Sequence, residues 1–494
     1  MPLISRRNIL KSAIFSAVTT CTMAASNTAH AEEQSPKNTF DVIVLGAGPA
    51  GLVTAISAKE AGASKVLLLE KMDRPSGNSL YALGGVCAWG TQKQKEANVK
   101  ETKEEFYQAM MATSKQRGDK KLNAVYAENI PAAVTWLENK VGIEFEPLSK
   151  KPAPMLWRIH RVKANGVTGG SQMVKKLLET AQREGVAIRY EHKAIELLTN
   201  SKLEVIGVKV LTPEGVKEFF SKGGVAVATG GFSANPEMVD KYIGGWGTRL
   251  VLRGSPDVTG ENVALTKPLF AKFVNMDQFH CGPIIEATHM NPATLLNSNR
   301  GIYVNSSGKR FMDEKNTYVI KARTVGEKTL DNIGWVIIDS SWSGLQKEIN
   351  KMDTLNSPYG KADTVEDLSK QVGLPVQAVK EEVDRYNKAV KENTLKNLNP
   401  VCSYPNPVAL EKAPYYAIPF QGGMTATFGG PLINERAEVQ NLERKSILGL
   451  YAVGNAAGGL FFHNYIGGAQ LGAATVFGRI AGKEMAKRAT GKNN

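Results

Sequence analysis

The chain has 494 residues, of which 42% are hydrophobic, so it is long enough to bury a large core in about two or three domains. Its formal net charge of +14 favours an anionic substrate, an acidic electron-transfer partner or a membrane surface, whereas the lack of a Lys/Arg cluster with interleaved aromatic residues argues against nucleic acid. The cysteines form neither a CxxC metal framework nor a CxxCH site for a c-type haem. We expect Cys87, Cys281 and Cys402 to be free, mostly buried thiols, with one disulfide as the alternative.

Residues 1–31 have the pattern of a twin-arginine export signal. Residues 5–11 read SRRNILK, a mildly apolar stretch follows, and residues 29–31 read AHA, an A-x-A cleavage site. The alternative is a disordered basic tail. Because the twin-arginine route carries proteins that are already folded, we expect the cofactor to be loaded in the cytoplasm and the mature protein to reside in the periplasm. The apolar stretch is too short and polar to span a bilayer well, and we expect no stable membrane insertion elsewhere.

The stretch from Asp41 to Glu70 predicts a dinucleotide-binding unit. It reads DVIVLGAGPAGLVTAISAKEAGASKVLLLE: an apolar strand, a glycine turn, a helix, a second apolar strand and an acid. Gly46 allows the tight turn, Gly48 lets a pyrophosphate approach the backbone, and Gly51 lets the helix pack close to the sheet. The helix N-terminus faces the phosphates, and Glu70 accepts hydrogen bonds from the ribose hydroxyls. A glycine-rich turn without a ligand leaves this acid and this glycine spacing unexplained.

The later segments interrupt this pattern and then return to it. From about residue 276 short strands, polar turns and a helical pair appear, whereas residues 449–488 return to glycine-rich turns followed by a helix. We therefore predict an α/β fold in which a Rossmann-like nucleotide-binding domain is completed by the C-terminal segment and carries an inserted α+β capping domain. The predicted parts are residues 38–275 for the first piece of the nucleotide-binding domain, 276–424 for the cap and 425–494 for the second piece.

Six motifs resemble the flavoprotein family of fumarate reductases and succinate dehydrogenases, in its soluble single-subunit branch. One is the fingerprint at 42–70, which is the strand, glycine turn, helix and strand described above. The others are SGNSLYALGG at 76–85, GGSQMVKKLLETAQREGV at 169–186, VAVATGGFSANP at 225–236, SSGKRFMDE at 306–314 and GLYAVGNAAGGLFFHNYIGGAQLGAATVFGRIAG at 449–482. The resemblance covers nearly the whole mature chain. It implies that the two-part domain binds FAD and that the cap encloses a substrate.

The resemblance also assigns the FAD site. Covalent attachment in this family uses a histidine in the region that reads SGNS here, so it implies non-covalent FAD; no second GxGxxG turn is present, which argues against NAD(P)H as a direct partner. The helix that begins near Gly468 is implied to stabilise the anionic reduced flavin through its dipole, with a plain helix cap as the alternative. The implied cofactor-binding residues are Gly46, Ala47, Gly48, Ala50, Gly51, Glu70, Lys71, Gly77, Asn78, Ser79, Gly84, Gly85, Ala228, Thr229, Gly230, Gly454, Asn455, Gly468, Gln470 and Leu471.

The substrate end departs from the fumarate reductases of this family. Those enzymes carry an arginine that acts as the proton donor a few residues after the KRF turn, and this chain has Tyr318 at that position. They bind a carboxylate with the arginine of an N-R-x-G-G motif, and this chain has Tyr465 there. The histidine before their later Gly-Gly turn is also absent, since residues 425–430 read TATFGG. Two tyrosines at these positions resemble 3-ketosteroid dehydrogenases, and the HNYxGG stretch resembles tricarballylate dehydrogenase-type proteins. The resemblance therefore disfavours fumarate as the substrate.

We assign Tyr318 to proton transfer at carbon and Tyr465 to binding or polarising the substrate; the alternatives are a packing tyrosine and a ring that shields the flavin. A tyrosine with an unperturbed pKa of about 10 is protonated at neutral pH and donates readily. The reverse reaction needs a lowered pKa, for which Lys321, Arg323 or Arg300 are candidate partners. The remaining candidates for substrate binding are His280 and His463, with structural histidines as the alternative, and Arg300 as a bidentate carboxylate clamp.

Three functions follow from this reading. The first is a periplasmic reductase that uses an unsaturated organic acid or an enone as terminal electron acceptor in anaerobic respiration, supplied with electrons by a separate cytochrome c or quinol-linked protein. The second is a dehydrogenase that introduces a C=C bond into a ketosteroid-like or polycarboxylate substrate. The third is a non-catalytic flavin electron carrier, against which the length of the cap and the two placed tyrosines argue. No metal site is predicted.

Overall fold

The computed structural model describes residues 38–491, and the predicted export signal at 1–31 lies outside them. Up to residue 275 the chain combines strands and helices, with five strands, β6 to β10, in succession between α5 and α6. The strands are β1 Thr39–Phe40, β2 Val42–Leu45, β3 Val66–Leu69, β4 Gly85–Cys87, β5 Ile159–Arg161, β6 Ala187–Arg189, β7 Lys193–Thr199, β8 Val205–Thr212, β9 Gly215–Ser221, β10 Val225–Val227, β11 Val251–Leu252 and β12 Phe273–Val274. The helices are α1 Pro49–Glu60, α2 Gln92–Glu96, α3 Lys103–Thr113, α4 Lys120–Trp136, α5 Gly169–Arg183, α6 Pro236–Ile243 and α7 Glu261–Thr266.

The rest of the chain contributes a second group of strands and helices. The strands are β13 Phe279–Ile284, β14 Ile302–Asn305, β15 Ile333–Asp339, β16 Gly360–Ala362, β17 Tyr415–Thr427, β18 Gly430–Pro431, β19 Glu438–Gln440 and β20 Ser446–Ala452. The helices are α8 Ala293–Leu296, α9 Tyr318–Lys328, α10 Leu345–Leu355, α11 Val365–Val372, α12 Val376–Lys391 and α13 Ala469–Thr490.

The central sheet has six strands in the order β19-β20-β10-β2-β3-β6. All neighbouring pairs from β20 to β6 are parallel, and β19 is an antiparallel edge strand. Strands β2, β3 and β10 are buried along their whole length, as expected of parallel strands covered on both faces. Because β20 comes from the C-terminal segment and pairs directly with β10, this segment completes the sheet that the N-terminal part begins.

Helices α1 and α13 pack against each other over the central sheet. Their approach depends on small side chains, since a Cβ at Gly482 would lie 2.4 Å from the carbonyl oxygen of Thr54. Both helices begin at the carboxyl edge of the parallel strands, where α/β sheets bind their ligands. The helix that the sequence placed after the glycine turn and the helix at the C-terminus therefore open toward one crevice.

A second sheet forms the core of the inserted region. Its strands run β11-β17-β15-β14, and β13 and β16 also pair with β17. Alternation along β15 separates its two faces: Val336 and Ile338 join a core with α10, whereas Ile337 joins a core with α11 and α12. Helix α9 packs on β13 and β17, which brings its N-terminal turn to the end of β17 nearest the crevice.

The predicted fold class is confirmed: a Rossmann-like domain is completed by the C-terminal segment and carries an inserted α+β region. Strand β17 runs from 415 through 427, across the expected 424/425 boundary, and from Phe40 onward the described chain forms one compact unit, so the boundaries themselves stay predictions. Cys87, Cys281 and Cys402 are buried and free, which confirms the expectation of unbonded thiols. Within residues 38–491 no helix has both the length and the apolar character of a membrane span.

Candidate active site

A cavity of about 900 Å³ opens at the carboxyl ends of β2, β3 and β10. It continues past the N-termini of α1 and α13 to the end of β17 and the first turn of α9. Of the predicted cofactor residues, those that line the cavity are Gly46, Gly48, Ala50, Glu70, Lys71, Gly77, Asn78, Ser79, Gly84, Gly85, Ala228, Thr229, Gly230, Gly454, Asn455, Gly468, Gln470 and Leu471. The structure therefore brings together segments from both ends of the chain around one space large enough for a dinucleotide and a small substrate.

The glycine turn before α1 shows how the fingerprint works. Gly46 has φ +108°, a left-handed conformation that favours glycine, and a Cβ there would lie 2.6 Å from the carbonyl oxygen of Ala228. A Cβ at Gly51 would lie 2.0 Å from the carbonyl oxygen of Gly46, so this residue does not line the cavity but lets α1 sit against the turn. At Gly48 a Cβ would meet no protein atom within 4 Å, because it would project into the cavity.

Glu70 is held by the backbone at the end of β3. Its Oε2 accepts a hydrogen bond from the N–H of Ala47 (2.8 Å), and its Oε1 accepts one from the N–H of Met72 (3.0 Å). Ala47 thus acts through Glu70, although its own side chain does not line the cavity. Burial raises the pKa of Glu70, and the two backbone donors and Lys71 act in the opposite direction. The carboxylate is oriented at the cavity wall, as a ribose-binding acid requires.

The opposite wall offers unsatisfied polar groups. Thr229 Oγ1 and Gln470 Nε2 are buried and have no hydrogen-bond partner in the part of the chain that the structure describes, and both residues line the cavity. Helices α1 and α13 have no side-chain N-cap, so their first backbone N–H groups are also available. Buried polar groups normally have partners, and a ligand with phosphates and a polar ring edge supplies them here. These residues fit a flavin dinucleotide.

Beyond these groups lies what we call the substrate pocket. Tyr318 is the first residue of α9, where Thr317 caps the helix, and Tyr465 precedes α13 with its ring packed against Phe428 and Phe461. Neither tyrosine hydroxyl forms a hydrogen bond within residues 38–491. Burial raises the pKa of both tyrosines, so both hydroxyls carry their protons at neutral pH. The pocket is lined by Arg253, His280, Ile284, Tyr318, Thr425 and Tyr465.

Of the two histidines predicted to bind substrate, one lines the cavity and the other does not. His280 on β13 lies edge-on to Tyr465, with ring centroids 5.0 Å apart, and its Nδ1 has no partner in the described structure. Burial, aided by Arg253, lowers the pKa of His280 to about 3, so its imidazole is neutral. His463 does not line the cavity; burial lowers its pKa to about 4, and its backbone N–H donates to Gln278 Oε1 (3.0 Å).

The two arginines and the lysine expected beside Tyr318 lie elsewhere. Arg300 is not among the cavity-lining residues, and its Nη1 donates to the carbonyls of Asn299 (3.1 Å) and Asn406 (3.2 Å). Lys321 points into the core of the inserted region, where its Nζ donates to the Tyr303 hydroxyl at 3.0 Å. Arg323 pairs with a glutamate of its own helix. The expectation that one of these three cations acts on Tyr318 is therefore wrong.

The cation that faces both tyrosines is Arg253, which sequence reasoning missed. It lies directly after β11, and its Nη1 donates to Thr425 Oγ1 at 2.9 Å. Its charge lowers the pKa of Tyr318 and of Tyr465 against the larger effect of burial. The available signal was an arginine immediately after the apolar run at 250–252, which is where a strand delivers a side chain to a crevice.

Comparison with known proteins agrees with this site. The family model described as "FAD binding domain" matches residues 41–471. A probable fumarate reductase, Ifc3, of Shewanella frigidimarina (strain NCIMB 400) is 30% identical over 92% of this chain and 76% of that protein. The structure of the open conformation of a flavocytochrome c3 fumarate reductase has a TM-score of 0.79 at 29% identity and covers 92% of this chain and 79% of that one. The structure of 3-ketosteroid-Δ4-(5α)-dehydrogenase from Rhodococcus jostii RHA1, in complex with 4-androstene-3,17-dione, has a TM-score of 0.75 at 25% identity, covering 93% and 99%.

These matches extend over both the nucleotide-binding domain and the inserted region, so they concern the whole site and not the glycine turn alone. FAD is the cofactor of this cavity. Taken with the geometry of the crevice, they place the chain in the family of FAD-dependent fumarate reductase and succinate dehydrogenase flavoproteins, in its soluble branch, as an oxidoreductase that acts on CH–CH and C=C groups.

Proposed function

We propose that the protein is a periplasmic reductase of an activated C=C bond, in an unsaturated organic acid or an enone, with Tyr318 as the proton donor. The observation that carries the proposal is a pair of tyrosine hydroxyls that open onto the FAD cavity beside Arg253 and have no hydrogen-bond partner among residues 38–491; burial raises the pKa of both, which keeps them protonated. A reductase needs a proton donor and a group that polarises the substrate, and this pocket offers both.

When bound in the cavity, FAD would supply the hydride. Tyr318 gives its proton to the neighbouring carbon, so the double bond gains one hydride and one proton and becomes a CH–CH bond. Tyr465 and Arg253 hold the substrate oxygen on which negative charge builds. The aromatic rings of Phe428 and Phe461 back Tyr465 and keep water from that side of the reaction.

The protonation state of Tyr318 favours reduction over the reverse reaction. A dehydrogenase needs a base at this position, and burial raises the pKa of Tyr318 instead of lowering it. The dehydrogenase remains the second candidate because the 25%-identical neighbour is a ketosteroid dehydrogenase. A flavin carrier without catalysis leaves the built substrate pocket without a use.

One experiment separates these functions. The purified holoprotein is reduced with a low-potential dye under argon, and enoates, enones and saturated ketones are added in turn while flavin absorbance is followed. We expect at least one enoate or enone to reoxidise the flavin. Reduction of the oxidised enzyme by saturated ketones or saturated polycarboxylates, with no reoxidation by any enoate or enone, would establish the dehydrogenase instead, and no response to any of these compounds would leave only the carrier.

The location and the electron donor are part of the same proposal. The SRRNILK motif at 5–11 supports export. The lack of a CxxCH site in this sequence supports a separate cytochrome c or quinol-linked donor. The SGNS segment at 76–79 has no histidine, which supports non-covalent binding of FAD. Cell fractionation tests the location: the unmodified chain is expected in the periplasm, and the Arg6→Lys, Arg7→Lys double variant in the cytoplasm. An unmodified chain found only in the cytoplasm contradicts the proposal. Acid precipitation tests the cofactor, since non-covalent FAD stays in the supernatant.

A further inference from the structure

The side chain of Arg253 follows a path that the surrounding sheet leaves open for it. The residue is anchored by its backbone N–H, which donates to the carbonyl of Met424 at 2.8 Å. Its side chain then crosses Gly282 of β13 and Gly423 of β17, which stand directly opposite each other in the register of these strands. A Cβ at Gly282 would lie 1.8 Å from Arg253 Nη1, and one at Gly423 would lie 2.4 Å from Arg253 Cδ. Any larger residue at either position would block the guanidinium.

The guanidinium has no counter-ion. Among residues 38–491 no Asp or Glu forms an ion pair with Arg253, and Thr425 is the side chain that accepts from it. The groups around it are phenols and a neutral imidazole, and burial lowers its own pKa, although arginine keeps its charge in proteins. A partly buried charge without a partner is costly, so the pocket is complete only when an anion binds there.

Among the six residues that define the substrate pocket, Arg253 carries the one permanent positive charge; Arg161, which also lines the cavity, lies on β5 opposite Gly85. Arg253 is the cation that acts on the pKa of Tyr318, Tyr465 and His280. The imidazole of His280 stays neutral because burial lowers its pKa to about 3. The remaining wall beside these groups includes Ile284 and the ring of Tyr465, and the same cavity is also lined by the polar side chains of His289 and Asn291. A second carboxylate in this pocket would lose its hydration without gaining a cation.

We infer that Arg253 binds the carboxylate of an α,β-unsaturated monocarboxylic acid, and that Gly282 and Gly423 make the room for it. This inference rests on the proposed reductase function, and it narrows the substrate from enoates and enones in general to acids with a single carboxylate. Arg253 then both anchors the acid and stabilises the charge that builds on its carboxylate oxygens when the β-carbon accepts hydride and Tyr318 protonates the α-carbon.

Ligand binding to the oxidised holoenzyme tests the inference without turnover. The probes are crotonate and cinnamate, their methyl esters, and fumarate, and the readout is the dissociation constant from the flavin difference spectrum. We expect a monocarboxylate to bind at least about tenfold more tightly than its ester and than fumarate, because a hydrogen bond to a charged group contributes about a tenfold to hundredfold effect. Fumarate that binds as tightly as the better monocarboxylate, or an ester that equals its acid, would overturn the inference.

Two variants locate the effect. Arg253→Gln is expected to weaken monocarboxylate binding by about 10–100-fold and to leave ester binding unchanged. Gly282→Ala keeps the charge but displaces it, and it is expected to lose the same preference. Arg249→Gln, on a nearby exposed arginine outside the cavity, serves as the matched control and should bind like the wild type. Unchanged acid binding in Arg253→Gln contradicts the inference; if neither variant loads FAD, the comparison of probes on the wild type decides it alone.

The two proposals fail separately. If fumarate reoxidises the reduced flavin equally well in the wild type and in Arg253→Gln, the reductase function is supported and the role of Arg253 in binding the carboxylate is contradicted. If no enoate reoxidises the flavin but monocarboxylates bind in an Arg253-dependent way, the anion site stands and the reductase falls.

Discussion

Gly48 and Gly51 of the fingerprint are predicted to have different effects when each is replaced by alanine. At Gly51 the new Cβ would lie 2.0 Å from the carbonyl oxygen of Gly46, whereas ordinary van der Waals contact begins at 3.4 Å. The turn and α1 must therefore separate by about 1.4 Å, and both sides of the contact are backbone, which cannot rotate away. At Gly48 the new methyl group meets no protein atom within 4 Å and projects into the cavity.

The magnitudes follow from these contacts. Overpacking costs about 1–3 kcal/mol, and this contact belongs at the upper end, while alanine regains at most about 1 kcal/mol of helix propensity. Gly51→Ala is therefore expected to lower the free energy of unfolding of the apoprotein by about 2 kcal/mol. Gly48→Ala, at an ordinary φ of −73°, is expected to change it by less than about 1 kcal/mol but to weaken FAD binding by about tenfold or more.

Urea unfolding of the apoproteins and titration of FAD by fluorescence quenching measure the two quantities. Each variant is the control for the other, since both add one methyl group to the same turn. A Gly51→Ala apoprotein as stable as the wild type would refute the close-packing role of this glycine. A Gly48→Ala variant that binds FAD like the wild type would refute the assignment of this turn to the phosphates.

Three further predictions concern single side chains. Tyr318→Phe should slow flavin reoxidation by about 10²–10⁴-fold, the usual contribution of a general acid, with no change in thermal unfolding because the hydroxyl has no hydrogen-bond partner in the described chain; full activity contradicts its role. Burial lowers the pKa of Lys321 from 10.5 to about 7, so between pH 7 and 10 the unfolded chain binds more protons than the folded one and the free energy of unfolding rises with pH, by about 5 kcal/mol at most. Lys321→Met should remove this rise, which urea unfolding at several pH values measures. An equal dependence of the unfolding free energy on pH in both proteins contradicts the prediction. Glu70→Gln should weaken FAD binding by about tenfold or more, because the amide offers one acceptor oxygen where the carboxylate accepts two backbone N–H groups, and an unchanged FAD titration speaks against this role.

The parts of the site that lie within one stretch of sequence were predictable. The β2–α1–β3 unit follows from a local pattern in which each glycine answers one steric demand, and the structure shows those demands at Gly46 and Gly51. The two tyrosines followed from the resemblance, and they do meet at one pocket.

Arg253 was not predictable in the same way. Its position depends on how β11 and β13 pair with β17, strands far apart in the chain, and on two glycines that matter only once those strands are in register. The positions of Arg300 and Lys321 also depend on tertiary contacts, although both residues precede or follow Tyr318 within the same region of the sequence. They point away from it because the fold of the inserted region gives them carbonyl and hydroxyl partners elsewhere.

The last strand pairs with β10 and the last helix packs on α1, and this arrangement has a consequence for biosynthesis. Helix α1 ends at Glu60 and its partner α13 begins at Ala469, so at about 5–20 residues per second the nascent chain carries an unfinished crevice for roughly 20–80 s. During that time α1 lacks the helix that packs on it, and the edge of β10 is unpaired from its own synthesis until β20 is made. The FAD cavity is therefore complete only after α13 has left the ribosome, because Gln470 and Leu471 form part of its wall.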